Sequence, residues 1–343
     1  MRAAKRAFLN LLLVPGFPAS LKYVQQSCAT VFMLHRFRDS EHGIEGCDVP
    51  HLRNTLAYLV KNGYEFISIP SLFDRLAGNG PPLRGAVAFT MDDGYVDQAT
   101  VAAPVFADFE CPVTTFVSTG FLDGQLWFWW DQISYIFQRS ARNPVQVLVG
   151  AAELNYRWNS EAERDGAQED FTARCKLVTD TEKLAAVARL AEAAEVELPT
   201  RAPPHCAPMS WEQLRDCEKL GMTFGPHTVT HPILSRTTPE AAEYEISESW
   251  ARLRTEARNP VSIFCYPNGG WEDFGEREVS VLRRLGLVGA VVGEPGYADA
   301  VAFRRSGADP FKVKRFAFPD DLPHVVQYVS GLERFKQLLR RST

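Results

Sequence analysis

Residues 86–95 read Ala-Val-Ala-Phe-Thr-Met-Asp-Asp-Gly-Tyr. The first five are apolar or β-branched without alternation, the pattern of a strand buried on both faces. They run directly into two adjacent carboxylates and a glycine, where a strand meets a tight turn. Runs of the same kind recur at 30–34 (TVFML), 65–69 (EFISI), 113–117 (VTTFV), 222–225 (MTFG), 261–265 (VSIFC), 287–292 (LVGAVV) and 312–316 (KVKRF). Between them lie stretches with helical periodicity, such as 51–63 and 211–220. Doubly apolar strands alternating with helices give an α/β fold with a parallel sheet. In such folds ligands collect at the C-terminal ends of the strands, which is where Asp92 and Asp93 stand.

The rest of the chain fits an ordinary globular protein: 343 residues, 45% hydrophobic, with a formal net charge of -5. That balance excludes disorder and a basic nucleic-acid footprint. Seven cysteines, without a CxxC pair, argue against a disulfide framework and for a reducing compartment. Residues 1–24 are basic and then apolar. Asn10 and Pro15-Gly16 interrupt the apolar run, so cytoplasmic retention is expected over cleavage as a signal, with peripheral contact at the inner face of the membrane open to this segment. A single domain is expected over 25–343. It carries a mostly helical insertion at about 121–207, where the strand rhythm gives way to Leu126–Trp130 (LWFWW) and a charged, alanine-rich section.

Four further stretches bear chemistry. Gly225–Pro232 (GPHTVTHP) follows an apolar run and sets two histidines four apart, as on one side of a helical turn. It lacks the glutamate of an HExxH site, so a carboxylate ligand and a base must come from elsewhere, and the Asp92–Asp93 pair offers both. Phe264–Gly270 (FCYPNGG) is a tight loop whose backbone N–H groups can face a developing oxyanion, or an ordinary turn. In Phe311–Phe316 (FKVKRF) the alternation puts Arg315 on the face of Phe311 and Val313. If that face is inward, the guanidinium needs an aspartate partner; the alternative is an outward basic edge. Met33–Phe37 (MLHRF) places His35 at the end of the first strand.

Taken together, TMDDGY (90–95), HTVTH (227–231) and YPNGG (266–270) resemble the motifs of the polysaccharide deacetylases, the carbohydrate esterase family 4 enzymes with a NodB-like homology domain. The resemblance implies a distorted (β/α) barrel of fewer than eight regular units. It implies one divalent metal ion, zinc with cobalt or nickel as alternatives, held by Asp93, His227 and His231, with Asp92 as the base that activates a metal-bound water. The third family motif, RxPYG, is altered: Cys265 stands at the arginine position and Asn268 at the tyrosine position. Arg315 is then the candidate guanidinium, and the Asn268 N–H, in the Tyr266-Pro267-Asn268-Gly269 loop, the oxyanion donor. The family's late histidine is matched only by His324, so the general acid is assigned to His35, as in relatives that open with a tyrosine–histidine pair.

The expected activity is removal of an N-acyl group, an acetyl by resemblance, from an amino sugar or glycan. Trp127 and Trp130 either stack on sugar rings or pack within the insertion. A cytoplasmic setting favours a glycan precursor over a mature wall polymer. The rival activities are a metal-dependent amidase of the same fold acting on a non-sugar C–N bond, and a catalytically silent glycan-binding protein. A phosphotransferase is discounted, because TMDDGY lacks the DxD spacing.

Overall fold

A computed structural model describes residues 26–305 and 308–334. The expectations for residues 1–24 lie outside the described residues. The strands in chain order are β1 (Cys28–Leu34), β2 (Glu65–Phe66), β3 (Ala86–Asp93), β4 (Val113–Val117), β5 (Val145–Val149), β6 (Ala152–Tyr156), β7 (Thr223–Pro226), β8 (Ile263–Cys265), β9 (Gly289–Val291), β10 (Ala298–Asp299) and β11 (Phe316–Ala317). The helices that matter for the site are α1 (Val49–Lys61), α2 (Ile69–Ala77), α3 (Trp129–Arg139), α4 (Glu161–Cys175), α5 (Asp180–Ala193), α6 (Trp211–Lys219), α7 (Pro239–Glu256) and α8 (Glu276–Arg284).

The sheet centres on β3, all eight residues of which are buried. It pairs in parallel with β1 on one side and with β2 and β4 on the other, and β4 pairs with β7. β8 and β9 form a separate parallel pair, while β11 pairs in parallel with β1. Isolated parallel bridges, Phe224–Pro260 and Val291–Val313, connect these ladders. The result is an irregular ring of parallel strands that the ladders do not close continuously. The apolar cluster that takes Val31, Ala88, Phe116, Ile263 and Val291 from five of these strands fills it. A larger cluster joins the sheet to its helices, for example Phe89 and Phe224 with Leu56, Leu214 and Ile246.

The last expected strand is only partly one. Pro310–Lys312 is a 3-10 turn capped by Asp309, Val313 makes a single bridge, and β11 begins at Phe316. Proline at its start cannot donate to a ladder, so pairing is delayed. The inward alternation nevertheless holds, with Phe311, Val313 and Arg315 all buried. The insertion contains a feature not read from the sequence: β5 and β6 form an antiparallel hairpin, which packs with α3, α4 and α5 around its own apolar cluster. That cluster runs from Trp129 to Ala194, while Phe121, Leu122, Trp127 and Phe128 belong to the main core. Among the described residues, no helix is long and apolar enough to cross a membrane.

Candidate metal centre and active site

Successive strand residues face opposite ways, so Asp92 and Asp93 would ordinarily diverge. The chain prevents this by turning left-handed at the strand end, with φ of 84° at Asp93 and 96° at Gly94. A side chain at Gly94 would be strained by that backbone conformation and would bring its Cβ to 2.6 Å from the Leu122 Cδ1 methyl, so glycine is favoured there. Asp93 Oδ1 then lies 3.6 Å from His227 Nε2 and 3.4 Å from His231 Nε2.

The two histidines do not lie on a helical turn as their spacing suggested. They leave β7 in a loop with left-handed residues at Thr228 (φ 66°) and His231 (φ 60°), and their rings meet edge to face with centroids 4.7 Å apart. The loop is pinned at several points. The His227 N–H donates to Val117 O at 3.0 Å and the Ser118 hydroxyl to His227 O at 2.9 Å. The His231 N–H donates to Thr228 Oγ1 at 3.0 Å. Glu245, from α7, accepts from the Val229 N–H (2.7 Å), the Thr230 N–H (2.9 Å) and the Thr230 hydroxyl (2.6 Å).

The donor set fits a divalent cation. Four ligands about 2.0–2.1 Å from a tetrahedral zinc are separated from each other by roughly 3.3 Å, close to the two Asp93–histidine distances. His227 Nδ1 donates to Cys265 O at 2.7 Å, which turns Nε2 towards Asp93. Burial, reinforced by the neighbouring His227, pushes His231 down to about 3, so its imidazole stays neutral and ligand-competent. Asp92, His227 and Cys265 also converge within 4.8 Å, but Asp92 is committed elsewhere.

That commitment is to Arg315, whose two terminal nitrogens reach the two Asp92 oxygens at 2.7 and 2.8 Å. The guanidinium also donates to Thr90 Oγ1 (2.9 Å), Val292 O (3.2 Å) and Cys265 Sγ (3.1 Å). Burial favours a protonated Asp92, yet the charge and hydrogen bonds of Arg315 outweigh it and hold the carboxyl below its ordinary range. The Cys265 thiol donates to Asp92 Oδ2 at 3.5 Å, and burial pushes that thiol up. His35 Nε2 lies 3.9 Å from Asp92 Oδ2, with 47% of its side chain exposed. Gln98 ties the two segments by donating to both His35 O and Asp92 O.

These groups open on a cleft of about 500 Å3, which Tyr266, Asn268 and Trp130 also line. Asn268 is exposed and left-handed (φ 56°). Tyr266 is buried and stacks on Phe274 at 3.8 Å, whereas Pro267 and Gly269 are buried and do not line the cleft. Trp130 stands edge-on to His231 with centroids 4.7 Å apart. Trp127 is in the core instead, edge-on to Tyr135, because Trp127 and Phe128 precede α3 and pack under it. His324 is on the helix Leu322–Val329, paired with its own Asp321, and does not line the cleft.

Glu245, Gln98 and the Arg36–Asp97 pair were not read from the sequence. Glu245 had a signal: it occupies the buried stripe Ala242, Ile246, Ser249, Trp250, Leu253 of α7, where a carboxylate needs a partner.

Residues 79–289 match the sequence model of the polysaccharide deacetylase family, a span that omits His35 and Arg315. No curated protein sequence matches the chain. Among solved structures, the Streptococcus pyogenes deacetylase PplD in complex with acetate is 17% identical, covers 89% of this chain and 99% of its own, and has a TM-score of 0.57. IcaB from Ammonifex degensii is 18% identical with a TM-score of 0.54, covering 89% and 98%. The deacetylase domain of BpsB from Bordetella bronchiseptica is 14% identical with a TM-score of 0.52, covering 85% and 96%. At these identities the likeness establishes the fold, a NodB-type parallel sheet with helices. With more than half of its residues inside the family's sequence model, the chain belongs to the polysaccharide deacetylase family.

Proposed function

We propose that this protein removes an N-acetyl group from an amino sugar or glycan, with one divalent metal ion held by Asp93, His227 and His231. The observation that carries the reading is the convergence of those three donors beside a separate carboxylate, Asp92, fixed by a two-pronged arginine pair. Members of the family are generally metal-dependent. A nitrogen-rich tetrahedral set suits zinc, with cobalt or nickel as alternatives. Bound there, the cation supplies Lewis acidity, making a water nucleophilic at neutral pH and polarising the acyl carbonyl.

The chain's own groups do the rest. Asp92, ionised over the working pH range, takes the proton that the attacking water loses. Arg315 fixes both oxygens, so the acceptor orbital keeps its direction. The Asn268 N–H receives the developing oxyanion. When the C–N bond breaks, His35 delivers a proton to the leaving nitrogen, from a half-exposed position that can exchange with solvent. The products are a free amine on the sugar and acetate.

The test measures metal content and acetate release from N-acetylated sugars for wild type, Asp92→Asn and His227→Ala in parallel. Asp92→Asn should keep its metal and lose activity, and His227→Ala should lose both. Full activity in Asp92→Asn, or retained metal in His227→Ala, overturns the assignment.

A further inference from the structure

The two proton-handling side chains of the cleft are anchored very differently. Asp92 lies inside the sheet, opposite Phe116 in the β3–β4 ladder, and Arg315 grips both of its oxygens. His35 stands one residue beyond β1, past the last β1–β3 pair of Leu34 with Met91. Its Nε2 is 3.9 Å from Asp92 Oδ2, too far for a hydrogen bond to fix the ring.

Two consecutive side chains, Asp97 and Gln98, hold the His35 segment instead, and both are fully buried. Gln98 Nε2 donates to His35 O at 2.6 Å and also to Asp92 O, so one amide spans the strand ends that carry the two groups. Asp97 takes the Phe37 N–H on Oδ2 at 2.6 Å and Arg36 Nε on Oδ1 at 3.0 Å. Residues 35, 36 and 37 are thus each tied to one of two neighbours in sequence. Arg36 is fixed further. It donates to His205 O at 2.6 Å, and its guanidinium sits 3.9 Å over the Tyr95 ring, whose hydroxyl donates to Asp131 Oδ2 at 2.7 Å.

The bridge is not explained by packing. Gln98 Oε1 is buried without a hydrogen-bond partner among the described residues, which destabilises the fold and which an apolar side chain would avoid. Gln98 also opens the π turn Gln98–Ala102, a rare geometry that recurs at functional sites.

We infer that Asp97 and Gln98 are positioning residues for proton delivery, holding the backbone of His35 at a fixed offset from Asp92. The step they serve is cleavage of the C–N bond: the bonding pair stays on nitrogen, and the His35 imidazolium gives that nitrogen its proton. This inference rests on the deacetylase reading above, with His35 as its acid.

The experiment uses zinc-loaded wild type, His35→Ala, Gln98→Leu, Asp97→Asn and the double variant His35→Ala/Gln98→Leu. Two substrates are compared: N,N′,N″-triacetylchitotriose, whose nitrogen must be protonated to leave, and 4-nitrophenyl acetate, whose phenolate leaves without a proton. Misplacing a reacting group by about 1 Å costs about 100-fold, so Gln98→Leu should lower kcat on the amide about 10- to 100-fold, with KM within about twofold. The ratio of amide to ester turnover should fall at least about 10-fold in Gln98→Leu and in the same direction in Asp97→Asn. Because Gln98 acts through His35, adding Gln98→Leu to His35→Ala should lower amide kcat by less than about threefold. Hydrogen exchange of metal-free protein reads the same loosening without turnover, and the Phe37 N–H should exchange about 10-fold faster in Gln98→Leu. Should Gln98→Leu fail to fold, Asp97→Asn, which keeps the side chain's shape, carries the same comparisons. A wild-type amide-to-ester ratio, unchanged Phe37 exchange, or the full loss repeated in the His35→Ala background overturns the inference and leaves the deacetylase reading standing. Full amide turnover in His35→Ala instead removes His35 from that reading, and the inference with it.

Discussion

Glu245→Ala should unfasten the loop that carries His227 and His231 without touching either histidine. Glu245 takes three hydrogen bonds from Val229 and Thr230. Bonds to a charged acceptor contribute about 1.5–3 kcal/mol each, and a buried N–H left unpaired costs about 1–3 kcal/mol. Val229 is buried and bears that cost in full, whereas Thr230 is exposed and recovers water. Removing a carboxyl that burial pushes up returns part of the loss. The net destabilisation should be about 2–4 kcal/mol, a fall in Tm of roughly 4–8 °C. The functional effect is larger in proportion, because Thr228 and His231 are held left-handed at a cost of about 1–2 kcal/mol each. Once released, the loop relaxes and His231 leaves Asp93, so metal affinity should fall about 10- to 100-fold. Glu245→Gln can keep one oxygen on the two N–H groups while the Thr230 hydroxyl reverses to accept from the amide. Its metal affinity should stay within about threefold of wild type, given that one neutral hydrogen bond replaces a charged one. The assay is competition for zinc against a fluorescent chelator, alongside thermal melts. A folded Glu245→Ala protein with wild-type zinc affinity would show that the loop is held by something other than this carboxylate.

Arg315→Ala strands the buried Asp92 charge and should cost about 3–5 kcal/mol in urea unfolding at neutral pH, and Arg315→Lys should not restore the two-pronged contact. Because the folded Asp92 is depressed, that contribution is complete above the unfolded carboxyl value of about 4 and fades as pH drops below it, so wild type and Arg315→Ala should converge in acid. Asp131 has the opposite sign. Burial raises it to about 6, so the folded state binds more protons than the unfolded one between about pH 4 and 6, and its contribution declines as pH rises through that window. Relative to wild type, the Tm of metal-free Asp131→Asn should therefore be higher at pH 7.5 than at pH 4.5; an unchanged difference would contradict the burial argument. Zinc at about 100 times its Kd should stabilise wild type by about 2.7 kcal/mol over the chelated protein and leave His227→Ala unmoved, as read from melts with and without EDTA.

The parallel strands were legible because burial on both faces writes itself as continuous apolar sequence, as at 86–90 and 113–117. The β5–β6 hairpin had a readable signal as well. Val145, Val147 and Val149 alternate with exposed Gln146 and Leu148, and Gly150 turns left-handed between the strands. The charged helices that follow masked it. The position of Arg315 could be stated only as conditional, because alternation gives a face but not whether that face is inside. Tertiary placement against Asp92 settles it. Trp127 and Trp130 are indistinguishable by composition within LWFWW, and only the start of α3 at Trp129 separates the core ring from the cleft ring. Loop shape was least legible of all, since the left-handed turns at Thr228 and His231 fall on residue types that do not advertise them.

Those turns explain how one site is assembled from strand ends. Of the six non-glycine residues with positive φ among the described residues, Asp93, Thr228, His231 and Asn268 belong to the site. They sit at the end of β3 and in the loops that follow β7 and β8. A strand's alternating side chains point across the sheet, not out of its end, so a cluster at the pole of the ring requires the chain to reverse its handedness as it leaves each strand. Four such residues cost about 4–8 kcal/mol together, which approaches the net stability of many domains. The strain persists because every loop is anchored to structure built for other reasons: Asp93 O to the Ser118 N–H, the His227 loop to Glu245, and the Asn268 loop through Gly293, whose N–H donates to Gly269 O at 2.9 Å. The arginine obeys the same logic from the opposite direction. What the buried Asp92 carboxylate needs is a guanidinium at one point in the ring's interior, and a residue just before β11 reaches that point as well as one at the end of β8. Cys265 can therefore stand where an arginine is usual while the ion pair itself is kept.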